Sequence, residues 1–333
     1  MAAMAGAGYS RDWSPFLWLA GLLVLSGLLA WVVTLVWTAW IVHRPPRMTA
    51  GRALARLGRA TPADVGIASF EEVAFNVPRR DRAGGEATLA GWWIPHAGGT
   101  AVHRTCILLH GYGDSRAGAL AWASLWRRLG FHLLLLDLRA HGDSGGKLAG
   151  GGAWERDDLH RVIDALRDRH PSAARTVVLF GVSYGAMVAA ACCAQRDDIA
   201  ALVIDSPVDG WSTATRRYAE LLGLPLAHAH GLRLALAERW LGVRFEEIRP
   251  VNTLAEVRCP VLAILPREDV LVSPAESEAI ASRLEAGGRH LVWHAATSHN
   301  LAIATHPEAY ERQVQELLMR AGLWEAAPVP AAE

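Results

Sequence analysis

The sequence predicts an α/β protein, a mostly parallel β-sheet flanked by helices with a small helical cap, preceded by one membrane-spanning helix. Three observations lead there. One long apolar run lies near the start, short runs rich in Leu and β-branched residues alternate with helical stretches further on, and loops bearing Gly, Ser, His and Asp follow several of those runs.

From Pro15 to Val42 the chain has no charged residue and is dense in Leu, Val, Ala and Trp. A bilayer core takes about 20 apolar residues as a helix, so residues 15–42 are long enough to span it with some tilt. Trp13 and Trp18 at one end and Trp37 and Trp40 at the other suit the two interfaces. A cleaved signal peptide has a shorter apolar core and a small-residue cleavage site, whereas this run ends in bulky Trp40, Ile41 and Val42. Arg44, Arg47, Arg52, Arg56 and Arg59 follow the span, while only Arg11, offset by Asp12, and the amino terminus precede it. The positive-inside rule then puts the carboxyl-terminal domain in the cytoplasm.

Residues 1–14 form a short tail before the span, and residues 43–69, rich in Arg, Ala, Gly and Pro, read as a juxtamembrane linker with room for one short helix. Two extended runs follow, Glu71–Val77 and Thr88–Ile94, separated by a charged, Gly-Gly-containing gap that suits a hairpin. Cys106–Leu109, Leu133–Asp137, Thr176–Phe180, Leu202–Asp205, Val261–Leu265 and His290–Trp293 are short and continuously apolar, as strands buried on both faces are. Helical spacing lies between them, as in Trp154–Arg169 and Met187–Arg196. Trp154–Leu159 opens with acidic residues, which favour the positive end of a helix dipole. This alternation makes a catalytic unit over residues 70–325, with an Ala/Pro-rich disordered tail at 326–333. Cys106, Cys192, Cys193 and Cys259 lack the paired spacing of a zinc or redox site and read as apolar fillers. Acidic and basic residues balance at 33 each and no basic patch is interleaved with aromatics, so nucleic acid is not an expected partner.

Ligands of open parallel sheets gather beyond the carboxyl ends of the strands. There Gly181-Val-Ser183-Tyr-Gly185 fits G-x-S-x-G, directly after one strand and before a helix of small residues. That context is what a nucleophile elbow needs: a strained turn exposes the serine oxygen, and the flanking glycines let strand and helix approach closely. His110-Gly-Tyr112-Gly113 follows another strand. Its backbone amides can face a developing oxyanion, which makes Tyr112 and Tyr184 the expected pair of donors. His110 itself reads as a backbone-bonding turn residue.

His110–Gly113, Asp137–Ser144 and Gly181–Gly185, in this order and spacing, resemble the α/β-hydrolase superfamily over residues 70–320. They are similar in particular to its serine peptidase/lipase-like members with a short cap, which include the membrane-tethered Bem46-type hydrolases. The resemblance implies an acid after a late strand and a histidine after the last one. Pro266–Pro274 resembles the acid loop of the family and points to Asp269, with Asp205, also at a strand end, as the rival. His290, His294, His299 and His306 follow, and the resemblance favours His299, in the loop beyond the last strand. The family's Gly-x-x-His is replaced here by Ala296-Thr-Ser-His299. Asp137–Ser144 resembles a structural turn beside the oxyanion loop.

The implied chemistry is acyl transfer to Ser183 with His299 as base and Asp269 as orienting acid, requiring no metal or organic cofactor. More than 50 residues separate the strand ending at Asp205 from that beginning at Val261. Within residues 208–258, Trp211–Gly223 and Ala227–Leu241 read as cap helices. An apolar cap near a membrane fits a lipid-like acyl ester or thioester, although the same faces suit helices that merely pack on the core. Amide or peptide hydrolysis would use the same residues, and a non-catalytic membrane binding protein of the same fold is the remaining expectation.

Overall fold

The computed structural model describes residues 13–80, 84–221, 223, 229–285 and 290–324. The tail at 326–333, most of the tail at 1–14 and the tip of the first hairpin lie outside them. Eight strands form one sheet: β1 (Glu71–Pro78), β2 (Glu86–Ile94), β3 (Arg104–Leu109), β4 (His132–Leu136), β5 (Thr176–Val182), β6 (Ile199–Asp205), β7 (Val261–Pro266) and β8 (Leu291–Ala295). Their order is β1-β2-β4-β3-β5-β6-β7-β8. The first two pairings, β1 with β2 and β2 with β4, are antiparallel, and every later one is parallel. The order turns back at β3, whose neighbours β4 and β5 lie on opposite sides. Chains leave β3 and β5 toward opposite sides there and open a crevice beyond their carboxyl ends.

Alternation within the strands explains why they are buried on both sides. Ile107, Leu109, Leu179, Leu202, Ile204 and Ala263 face one half of the core, covered by α4 (Ala153–Arg169), α5 (Tyr184–Cys193) and α9 (Pro274–Glu285). Cys106, Leu108, Val178, Phe180, Val203 and Leu262 face the other, beneath α3 (Arg116–Arg128) and α10 (Pro307–Arg320). The four cysteines are buried free thiols. All ten residues of α5 are buried, which its Ala, Gly and Cys content permits by letting the helix lie close to the sheet. At the start of α4, Glu155 accepts from the Gly150 and Gly152 amides, both at 2.9 Å. An acidic side chain thus caps the helix the sequence opens with acids.

The cap consists of α6 (Trp211–Leu221), α7 (His230–Leu241) and the short α8 (Pro250–Thr253). The apolar amino-terminal run is one helix, α1 (Ser14–Ile41). Every residue from Ser14 to Thr34 is exposed, whereas Leu35, Thr38 and Ala39 are buried where α1 packs on α7. Residues 43–69 include α2 (Ala50–Leu57), the short helix the sequence allows, but the segment that follows α1 is no free linker. His43 is buried, its carbonyl accepting from the Ala149 amide at 2.8 Å. Arg47 donates to the carbonyls of Gly142, Ser144 and Gly146 at 2.6–2.9 Å. Three carbonyls left unpaired by the irregular 142–146 turn need donors, and a guanidinium supplies them, which is why an Arg read as a charged flank is built into the fold.

Candidate active site

Ser183 follows β5 directly and has φ 55° and ψ −114°, a strained backbone for a residue with a side chain. Its amide donates to the Asp205 carbonyl at 2.8 Å, which holds the turn against the end of β6. A Cβ at Gly185 would come within 2.6 Å of the Leu109 and His110 carbonyl oxygens. Glycine there allows the start of α5 to meet the end of β3, and so brings the loop after β3 to the serine. A Cβ at Gly111 would lie 3.5 Å from Ser183 Cβ, so the loop 110–113 passes over it.

On the other side of Ser183 stands His299, in the loop after β8, with its Nε2 2.9 Å from the Ser183 Oγ. Its Nδ1 is 2.6 Å from Asp269 Oδ2. The second Asp269 oxygen accepts from the Leu271 and Val272 amides at 2.8 and 3.0 Å, which fixes the carboxylate in place. The Asp269 and His299 loops are joined in turn by the Arg267 and Glu268 amides, which donate to Ala295 and Thr297 carbonyls. Of the four histidines weighed from the sequence, His290 accepts from the Val261 amide, His294 lies within β8, and His306 contacts the Ala296 carbonyl. Glu268 is exposed.

Asp205 does not bond to the histidine. Its carboxylate accepts from the Tyr310 hydroxyl and the Ser206 hydroxyl, both at 2.8 Å, and Ser206 Oγ accepts from the Asn300 amide at 3.0 Å. Burial pushes the Asp205 carboxyl up to about 6, with these donors opposing the shift. The residue thus braces both the serine turn and the histidine loop. His110 is likewise structural, bonding the Gly111 carbonyl through Nδ1 and accepting from the Leu138 amide through Nε2. In the 137–144 turn, Asp137 accepts from the Arg116 and Asp143 amides, and Arg139 forms a buried two-pronged pair with Asp158 of α4. These contacts keep the turn rigid beside the loop 110–113.

Tyr112 and Tyr184 flank Ser183 and line the cavity before it. Their rings sit 5.8 Å apart, and each packs against Trp211 of the cap. Ser183 opens into an apolar cavity of about 970 Å³, counting its open mouth, under α6 and α7. Thr38, Ala39, Val42 and His43 form part of its wall. Sequence reasoning missed these four residues. The signal was only the abrupt end of the apolar run at His43-Arg44-Pro45-Pro46, which marks where the helix must stop without showing what it touches.

Residues 100–239 match a hydrolase family described as serine aminopeptidase S33. A Bacillus subtilis protein known as uncharacterized protein YqkD is 28% identical over 222 residues, 64% of this chain and 70% of its own. Among solved structures, the Pyrococcus furiosus esterase Pf2001 is 26% identical with a TM-score of 0.66, covering 84% of this chain and 97% of the esterase. A bacterial membrane phospholipase A, 19% identical with a TM-score of 0.54, shares the fold over 92% of this chain and 98% of its own. A sheet that reverses at β3, a serine turn at its crevice and a Pyrococcus furiosus esterase matched nearly end to end give this chain the α/β-hydrolase fold.

Proposed function

We propose that the protein is a membrane-anchored serine hydrolase that cleaves an acyl ester or thioester of a lipid-like substrate through an acyl-enzyme. The observation that carries this reading is the unbroken relay from Ser183 Oγ to His299 Nε2 and from His299 Nδ1 to Asp269, at 2.9 and 2.6 Å. His299 takes the Ser183 proton as the oxygen attacks the acyl carbonyl, and Asp269 holds the ring tautomer and balances the imidazolium. The oxyanion rests on the Tyr112 and Tyr184 amides, the latter in the first turn of α5, where the helix dipole also favours negative charge. The imidazolium then gives its proton to the leaving alcohol or thiol. Water, deprotonated by His299, adds to the acyl carbon and releases the acid and free Ser183. The apolar pocket wall and the esterase and phospholipase relatives favour an acyl substrate. The aminopeptidase family match favours a second reading, amide hydrolysis by the same groups.

In this reading α1 is a single-pass anchor, and the arginines after it put the catalytic domain on the cytoplasmic side. An active-site fluorophosphonate is expected to label the wild type and leave Ser183→Ala unlabelled. Equal labelling of both removes the nucleophile. A panel of esters, thioesters and aminoacyl amides then separates the two readings by the ratio of kcat/KM values.

A further inference from the structure

The last turns of α1 belong to the substrate pocket. On α1, 21 consecutive residues, Ser14–Thr34, are all exposed. At 1.5 Å per residue they reach about 31 Å, which matches a hydrocarbon core of about 30 Å. The buried positions begin immediately after, at Leu35, and lie against α7. The membrane boundary therefore falls at the level where the same continuous helix becomes protein wall. Beyond it Thr38, Ala39 and Val42 line the cavity together with Trp211, Leu234 and Ala237 of the cap. The Thr38 hydroxyl donates to the Thr34 carbonyl at 2.7 Å, so its polar atom is bonded within its own helix.

Two further features align with that boundary. Along α7, Leu232, Leu236 and Trp240 recur every four residues and are all exposed, an apolar ridge on the helix that packs against α1. Solvated helices do not keep such a row without something to cover it, and a bilayer interface beside the anchor is that cover. Trp37 is exposed on α1, and the Arg44 guanidinium stacks 3.6 Å over Trp40, an aromatic and cationic girdle of the kind found at membrane interfaces. The junction is also fastened to the catalytic loop, since the Tyr112 hydroxyl donates to the Val42 carbonyl at 2.6 Å.

We propose that the anchor is one wall of the acyl-binding pocket, and that the pocket takes a single acyl chain of a membrane-resident ester directly from the bilayer, between α1 and the cap. The proposal rests on the hydrolase reading above and names the route and the chain-binding surface. A chain entering there stays in apolar surroundings from the lipid to Ser183. Its methylenes then reach the cavity without the cost of exposure to water. The α1 residues then select for chain length, beyond holding the enzyme at the membrane.

The test uses the full chain in lipid nanodiscs. Ala39→Trp puts a large ring on the α1 wall and should lower the ratio of long-chain to short-chain ester kcat/KM at least tenfold. A long-chain alkyl fluorophosphonate with a diazirine in its tail, reacted with Ser183 in the wild type and irradiated, should crosslink to residues 35–43. This arm needs no variant to fold. Trp240→Glu and Leu236→Glu on the outer ridge should reduce turnover of a vesicle-embedded ester at least fivefold, with turnover of a water-soluble short ester unchanged. An unaltered chain-length ratio in Ala39→Trp, or crosslinks confined to α3, α4 or α9, overturns the proposal while Ser183 labelling leaves the hydrolase reading intact. Absence of Ser183 labelling in the wild type removes both.

Discussion

Two carboxylates end neighbouring strands, Asp205 on β6 and Asp269 just beyond β7, and their partners separate their work. Asp269 meets His299 and takes two backbone amides, so it can hold the ring in the tautomer that leaves Nε2 free to accept the Ser183 proton. Asp205 meets two hydroxyls, Tyr310 and Ser206, and reaches the histidine loop only through Ser206 and the Asn300 amide. In the proposed mechanism Asp269→Asn should lower kcat/KM by about 10⁴-fold, the scale of losing the orienting acid. Asp205→Asn should lower it about tenfold or less, the scale of one weakened hydrogen bond. Steady-state kinetics on one ester decides it, and a larger loss from Asp205→Asn would hand the orienting role to the residue the sequence leaves as a rival. Sequence reading could not separate the two, because both are acids at strand ends and the difference lies in which loop bends toward which.

Elements of the sheet were legible because burial on both faces writes itself into continuous apolar runs. β3 to β7 fall within two or three residues of their apolar runs. Boundaries were less legible where conformation is set by tertiary approach. The sequence places the start of α5 near Ala186 and helical spacing on to Arg196, but the structure runs it from Tyr184 to Cys193, because the serine turn ends in the helix with no loop between. That junction is tight enough to test. The Gly185 Cα faces two backbone carbonyls of the β3 end, neither of which can move without shifting the strand, so Gly185→Ala overpacks the contact. Overpacking of this kind costs about 1–3 kcal/mol. It should lower the thermal midpoint of the detergent-solubilised protein by at least about 2 °C. Gly231→Ala in α7 meets nothing within 4 Å and should hold or raise the midpoint, since alanine is the better helix former. Equal midpoints for the two variants would mean that the strand yields where the packing says it cannot.

Across the whole molecule the apolar helix α1 and the unit built on the sheet are joined at His43, the first residue past Val42. Nothing in the sequence exposes that meeting, because hydropathy marks the length of an apolar helix and is silent on which of its faces finds protein. His43 Nδ1 bonds the Ala149 carbonyl at 3.0 Å, and its Nε2 accepts from the Trp211 indole at 3.3 Å. Its ring lies 5.7 Å from Phe245, stacked. Nδ1 must therefore carry the proton and Nε2 must be bare, so the joint admits only the neutral ring. Burial lowers this histidine from 6.5 to about 4. As pH falls through that window the unfolded chain takes up a proton that the folded joint refuses, so stability present above 6.5 is lost progressively down to 4. At pH 5 the loss relative to pH 7 is on the order of 2 kcal/mol. Glutamine can donate to the carbonyl or accept from the indole without titrating, so His43→Gln should weaken the joint at pH 7 and remove its acid sensitivity. Thermal midpoints in detergent at pH 7 and pH 5 are expected to fall several degrees further in the wild type than in His43→Gln. Identical falls would place the acid sensitivity elsewhere and show that the joint between α1 and the cap accepts a charged ring.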